Sequence, residues 1–446
     1  MSVKFKWETE FKETEIGEIP KDWEVKKLGI VADVIRGVSF KQKEAKFEKF
    51  ENSIPILRAN NISEKGELIW EELMFISKDK IHPKQFLKKH DIIMVASSGS
   101  KRLVGKLFQL KKEPQEKCSF GAFLYCIRPK DNLKYNKKLL GFVLDSPLTK
   151  RRLEEVVDGT NINNLRKSDL ENMKLIYPPP PEQSRIATVL SWFDNLIENK
   201  KRQNEILEKV AMAIFKSWFV DFEPFKDEEF VYNEELGKEI PKGWKVKPIG
   251  EVADFVKGLS YRSNELVNNP TEGEIFITLK IFKRGGGFRP EYKYYKGNRY
   301  SEEQVVYDGD LVIALTDMTS DAKVVGAPAL VILPPDRNKG ILSLDAVKLN
   351  TPQYMKEYVY LYLKDSQEEN STFANGVNVL HLNLNLFKVG KFILIPPQPI
   401  IQRFHSLVEP LFQKIILNQK QIMVLRKIRD TLLPKLVFGK LRVEEI

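Results

Sequence analysis

The chain has 446 residues, 42% hydrophobic and 30% charged, the ordinary balance of a soluble globular protein of two to four domains. Its formal net charge of +11 favours a polyanionic partner, because Lys and Arg release counterions from phosphate backbones, although a solvated Lys/Glu surface is the plain alternative. Two cysteines cannot staple a chain this long, no run reaches the roughly 18 apolar residues of a membrane helix, and the first residues form no apolar signal core, so a reduced, cytoplasmic protein without membrane contact is expected.

The first 40 residues already hold the organising signal. Residues 15–40 read EIGEIPKDWEVKKLGIVADVIRGVSF, and residues 235–261 read ELGKEIPKGWKVKPIGEVADFVKGLSY. Pro20, Trp23, Gly37 and Ser39 recur as Pro241, Trp244, Gly258 and Ser260, all at an offset of 221. Next, DIIMVASSGSKRLVGK (91–106) parallels DLVIALTDMTSDAKVVGA (310–327), with Gly105 on Gly326. Within these, Ile92–Ala96 and Leu311–Ala314 read as buried strands. Cys118 and Cys126, flanked by Phe120, Phe123 and Tyr125, read as reduced core residues beside a buried strand. Stretches 138–156 and 353–369 read as helical. Gly159, Thr160, Asn161 and Ile162 parallel Gly376, Val377, Asn378 and Val379, and each copy then enters a proline cluster, Pro178 to Pro181 and Pro396, Pro397 and Pro399. Asn268–Pro270 and Gly285–Gly287 read as loops, the latter flexible. A period this long means a duplicated domain, hence approximate two-fold symmetry within one chain.

After each proline cluster comes a long helix. Ile186, Leu190, Phe193, Ile197, Leu207, Ala211, Ile214 and Trp218 keep a 4-3-4 rhythm. Phe404, Val408, Leu411, Ile415, Ile422, Leu425, Leu432 and Leu436 repeat it at an offset of 218. Such a seam needs a partner helix, although each helix could instead pack only on its own globular unit. Pro410 is expected to kink or restart the second helix, and Pro434 to disturb its end. Lys200, Asn204, Asn418 and Arg429 interrupt the seam. In an antiparallel pair that sets Ile186 opposite Leu436, Asn204 falls opposite Asn418, and each amide can satisfy the other. A parallel pair would leave Asn204 against Ile422, at a cost of roughly 1–3 kcal/mol. The antiparallel arrangement is therefore expected. Trp218, Phe219, Phe222 and Phe225 form an aromatic cluster that is either a partner-docking patch or a hinge packed on the second unit.

No catalytic motif emerges. Gly99–Lys106 resembles a phosphate loop, but five residues separate its glycines and Leu107 replaces the magnesium-binding Ser or Thr. His82, His90, His381 and His405 are scattered, which speaks against a histidine-based metal site or triad. There is no methyl-donor glycine fingerprint and no Asn-Pro-Pro or Asp-Pro-Pro tetrapeptide.

Two similar units, each followed by a long helix, resemble the specificity subunits of type I restriction–modification systems. Glu18–Trp23 and Glu239–Trp244 resemble that family's unit-opening motif. Pro179–Ala187 resembles its proline-to-helix junction, and Ile214–Pro224 the segment closing the first helix. The second junction, Pro399–Arg403, lacks the Glu-Gln pair, which leaves the start of its helix less defined. The resemblance implies an α+β protein in which two mixed α/β target-recognition domains (1–180 and 223–398) are joined by two long antiparallel spacer helices (181–222 and 399–446). It implies a non-catalytic DNA reader of a bipartite, asymmetric site. Its partners would be double-stranded DNA and two methyltransferase (modification) subunits that use S-adenosylmethionine, with ATP- and magnesium-using restriction subunits as optional additions. No cofactor or metal is expected on this chain. The competing reading is a coiled-coil adaptor without DNA readout. From Ile186 to Trp218 a helix rises about 48 Å at 1.5 Å per residue. That matches about 14 base pairs, somewhat over one DNA turn.

DNA contacts are expected from loop residues with base-reading or phosphate-binding chemistry. In the first unit these are Arg36, Ser39, Lys41, Arg58, Asn60, Ser98, Ser100, Lys101, Arg102, Thr160, Asn161 and Asn164. In the second they are Lys257, Ser260, Tyr261, Arg262, Lys280, Lys283, Arg284, Arg289, Thr319, Lys323, Asn378 and His381.

Overall fold

Runs of four apolar residues with no polar alternation are buried on both faces, and Ile92–Val95 and Leu311–Ala314 form the inner strands of two four-stranded antiparallel sheets. The computed structural model describes residues 3–63, 68–70, 73–131, 135–157, 163–317, 322–376 and 379–446. The chain divides into two units, Met1–Asn195 with Lys427–Ile446, and Leu196–Arg426.

In the first unit the sheet order is Leu107–Gln109, Ile92–Val95, Leu124–Pro129, Ala32–Arg36. A second sheet runs Ser119–Phe120, Ser53–Leu57, Met74–Ser77, its first pair parallel. The second unit repeats this plan. Pro328–Leu330, Leu311–Ala314, Ala346–Asn350 and Asp254–Lys257 form its four-stranded sheet. Glu274–Ile277 and Gly340–Leu342 form the parallel pair, inside a sheet of five strands. The stretch 138–156 is two helices, Lys137–Leu144 and Pro147–Val156, because Ser146 accepts from the Thr149 N–H and Pro147 supplies a preset first turn. Cys118 and Cys126 are buried and unpaired, and burial pushes the Cys118 thiol up to about 12, so neither is ionised at neutral pH.

The first long helix spans Pro180–Phe219 and the second Gln398–Val437. In the second unit Lys200 Nζ meets Gln421 Oε1 at 2.5 Å and Asn418 Nδ2 meets Asn204 Oδ1 at 3.0 Å, so the helices run antiparallel there and the two asparagines touch as expected. The amides are not reciprocal, however. Asn204 Nδ2 donates to the Ile415 carbonyl (3.4 Å), and Asn418 also donates to Gln203 Oε1 (3.2 Å). In the first unit the same seam carries an ion pair, Arg429 Nη1 to Asp194 Oδ1 at 2.8 Å.

Packing on the globular units and pairing of the helices both occur. Ile186, Leu190, Leu433 and Leu436 belong to the first unit's core. Ala211, Phe215, Phe219, Phe404, Val408 and Phe412 belong to the second's. Phe215 and Phe219 are drier than the rhythm positions Ile214 and Trp218, because the globular core claims the neighbouring i, i+4 stripe. The second helix does not restart at Pro410. Val408 and Phe412 on either side are buried, and their contacts outweigh the roughly 3 kcal/mol an interior proline costs. Pro434 lies in the last turn: three more helical residues follow, and the Phe438 N–H returns to the Pro434 carbonyl at 3.1 Å.

Candidate nucleic-acid interface

Each unit gathers several strand ends at one turn. In the first, the Gly121 N–H donates to the Leu57 carbonyl (2.8 Å) and the Ala122 N–H to Val38 (2.9 Å). The Phe123 carbonyl accepts from Ala96 (2.8 Å) and Ser97 (3.2 Å). The ends of Ala32–Arg36, Ser53–Leu57 and Ile92–Val95 are thereby tied to residues 121–123. Gly37 makes this approach possible, since an added Cβ would overlap the Gly121 carbonyl.

The second unit builds the same knot. The Ser343 N–H donates to Ile277 (2.9 Å), Leu344 to Leu259 (2.9 Å), and Leu315 to Asp345 (2.7 Å). A Cβ on Gly258 would overlap the Ser343 carbonyl. Gln85 Nε2 holds the Arg36 carbonyl at 3.0 Å, and Gln304 Nε2 holds the Lys257 carbonyl at 3.4 Å.

Most of the sequence-selected residues lie on or beside these knots. Arg36, Ser39 and Lys41 are exposed on one limb of the first. Arg58 and Asn60 follow Leu57, with the Arg58 guanidinium 5.5 Å over the Phe47 ring. The Ser97–Ser98 strand pairs with Asn163–Asn164, so Ser97 Oγ reaches Asn164 Oδ1 at 2.5 Å. Ser98 Oγ accepts from the Ser100 N–H at 3.1 Å, starting the exposed turn that carries Lys101 and Arg102. In the second unit His381 faces Thr316 in the same register in which Asn164 faces Ser97. Lys257, Ser260 and Arg262 are exposed, as is Lys280 on the turn Leu279–Ile281.

Tyr261 is partly structural. Its ring stands edge-on to Phe276 at 4.9 Å, its hydroxyl reaches Asp345 Oδ2 at 3.4 Å, and burial, then Asp345, raises its pKa. Lys283, Arg284, Arg289 and Lys323 surround Gly285–Gly287. That segment is a defined turn rather than a flexible loop. All three glycines have positive φ, the Gly285 and Gly287 N–H groups donate to Lys323 and Pro328, and a Cβ on Gly286 would press on Pro328. Thr160, Asn161, Thr319 and Asn378 lie outside the described residues.

Sequence reading missed Phe123. It is 61% exposed at the tip of the first knot, not lining a strand. Gly121–Ala122 breaks the alternation and separates Ser119–Phe120 from Leu124–Pro129, which belong to different sheets. The aromatic cluster resolves in favour of packing on the second unit. Phe219 meets Tyr358 at 4.8 Å and Phe404 at 4.9 Å, and Phe225 meets Trp244 at 5.0 Å. Among the described residues no group of three or more His, Cys, Asp or Glu is placed to hold a metal, and no helix is long and apolar enough to cross a membrane.

Residues 20–209 match the family described as type I restriction modification DNA specificity domain, a recognition family rather than a catalytic one. The chain is 37% identical over 455 residues to the type I restriction enzyme MjaIX specificity subunit of Methanocaldococcus jannaschii, covering 100% of this chain and 99% of the relative. It is 30% identical over 202 residues to the EcoKI specificity subunit of Escherichia coli, covering 44% and 42% of the two chains. The crystal structure of a type I restriction–modification S subunit from M. genitalium has a similar fold, with a TM-score of 0.52 and 17% identity over 93% of this chain and 96% of that one. With its doubled unit, its two long helices and a relative matched from end to end, this chain belongs to the type I restriction enzyme specificity subunits.

Proposed function

We propose that the chain reads a bipartite, asymmetric DNA site, residues 1–180 addressing one half and 223–398 the other. The stretches 181–222 and 399–446 serve as the spacer and as the seat of two adenine-methylating modification subunits in a cytoplasmic complex, to which restriction subunits are an optional addition. The observation that carries this reading is the knot built twice. A backbone-fixed platform at the strand ends, surrounded by exposed Arg, Lys, Asn and Ser, offers both phosphate-positioning and base-edge chemistry. The individual contacts proposed are the sequence-selected residues named above, with Tyr261 acting through Asp345 as support.

The test is to co-express the chain with modification subunits and map methylated adenines across a genome. Exchanging residues 23–177 for those of another reader is expected to change one half of the motif and leave the other. A motif that changes in both halves, or in neither, would overturn the assignment. DNA binding is also expected to weaken about 10³-fold or more between 50 and 200 mM salt for six or more phosphate contacts. An adaptor that does not read DNA would show no such slope.

A further inference from the structure

We propose that Phe123 is a base-contacting, specificity-determining residue of the first head, and that its ring reads the C5 methyl group of a thymine in that head's half-site. The inference rests on the DNA-reading function proposed above. Three observations carry it. First, the ring is 61% exposed although its backbone is fixed, the carbonyl accepting from both Ala96 and Ser97. A large apolar group exposed to water on a fixed backbone gains little for the fold and is available to a partner. Second, the fold does not require it. The corresponding residue of the second knot is Asp345, whose carboxylate accepts from Ser343 Oγ at 3.2 Å, and that knot still closes through the equivalent bonds from Ser343, Leu344 and Leu315. Third, the residues one or two positions from its anchoring bonds are polar and suited to base edges and phosphates: Arg36, Arg58, Ser98 and Asn164. An apolar ring among groups that read base edges meets those same edges. The apolar feature a base pair presents there is the thymine methyl, in the major groove. A wedge driven between bases would instead lift the neighbouring polar groups away from the edges they read.

The experiment uses the full chain in complex with its modification subunits. The wild-type motif is mapped first, and each thymine of the first half-site is then replaced by uracil, which lacks only the methyl. Wild type is expected to lose about fourfold in affinity at one position, the worth of one buried methyl group. The Phe123→Ala complex is expected to bind thymine and uracil alike there, and its genomic motif to relax at that position only. Phe123→Asp copies the residue the second knot accommodates, so it guards against misfolding. It is expected to melt like wild type while losing the thymine preference. Equal binding of uracil at every position by wild type, or variants that leave the first half-site intact, overturns the inference alone. A loss on Phe123→Ala that is equal for thymine and uracil duplexes indicates stacking and also overturns it. Absence of sequence-directed methylation by the wild-type complex overturns the DNA-reading function, and this inference with it.

Discussion

The two units solve one problem, fastening a head to its own stretch of helix, with opposite chemistry. In the first, Glu182 lies in the opening turn of the long helix and is buried, yet fully engaged. Trp23 Nε1 donates to it at 3.0 Å, and the Arg442 guanidinium binds it through Nε and Nη2 while also reaching Glu8 and Asp22. Burial alone would lower the Arg442 pKa, but these carboxylates raise it. In the second unit the repeat places Ile400 and Ile401 where the first has Glu182 and Gln183, and Ile401 is 1% exposed in the core. Trp244, the repeat of Trp23, packs instead against Phe222 (5.6 Å) and Phe225 (5.0 Å). The Glu-Gln pair missing from the second junction is therefore replaced by apolar packing, and the helix starts at Gln398 without it. A duplicated fold keeps the position that must be filled, not the chemistry that fills it.

The largest effect that would break this comparison is expected at Arg442. Arg442→Ala removes the cation facing buried Glu182, and stranding a buried charge costs about 3–5 kcal/mol. Urea unfolding followed by hydrogen exchange should show the loss in the first unit and little change in the second. Replacing Glu182 and Arg442 together by apolar residues should restore part of it, the Trp23 Nε1–H then lacking its acceptor. A double variant as unstable as the single would mean the pair contributes more than its packing.

The knots sharpen the comparison in the other direction, because here the two units share their chemistry. Gly37→Ala and Gly258→Ala each force a Cβ onto a backbone carbonyl, which cannot swing away as a side chain does. Each is expected to cost about 1–3 kcal/mol, confined to its own unit. Equal losses would mean the close approach is set by the fold; unequal losses would mean one knot relaxes.

Much of this is legible in the sequence alone. The repeat was legible because backbone demands, such as Gly37 on Gly258, survive divergence. The antiparallel helix pair was legible because a buried amide must find a partner, and Asn204 and Asn418 could do so in only one direction. What escaped detection depended on tertiary context. The exposure of Phe123 is not legible, because the alternation around Cys118 and Cys126 says nothing about a chain passing from one sheet to another. Pro410 suggests a kink or restart, and the packing of Val408 and Phe412 that carries one helix through it is not written in the local sequence. The turn at Gly285–Gly287 looked flexible because its backbone partners, Lys323 and Pro328, lie some forty residues away.

The helix seam gives an effect of intermediate size. Asn204→Leu leaves Asn418, fully buried, without its Asn204 acceptor and is expected to cost about 1–3 kcal/mol. The double variant Asn204→Leu, Asn418→Leu should recover the loss, measured as a coupling energy in a double-mutant cycle. Such a gain in stability would leave the amide pair explained by register, its apolar flanks being equally compatible with a slipped pairing. A double variant no better than the single would assign the amides a stabilising role of their own.

The smallest expected effect is local and depends on pH. The strand Lys4–Trp7 pairs antiparallel with Leu441–Glu445, and Glu8, next in the chain, holds Arg442. Its carboxyl sits below the ordinary glutamate value of 4.5, first because the Glu10 N–H donates to it, then through the Thr9 N–H and Arg442. A carboxylate whose pKa is depressed on folding adds stability above its unfolded value, and that contribution disappears as pH falls through the folded one. The strand pair should therefore hold its strength at neutral pH and loosen from about pH 4.5 downward. Fluorescence of Trp7, which is 60% exposed with Lys435 above its ring at 5.4 Å, would report it. Glu8→Gln should loosen the pair at neutral pH and flatten the titration. An unchanged titration in that variant would show that Glu8 is not the acid-sensitive group.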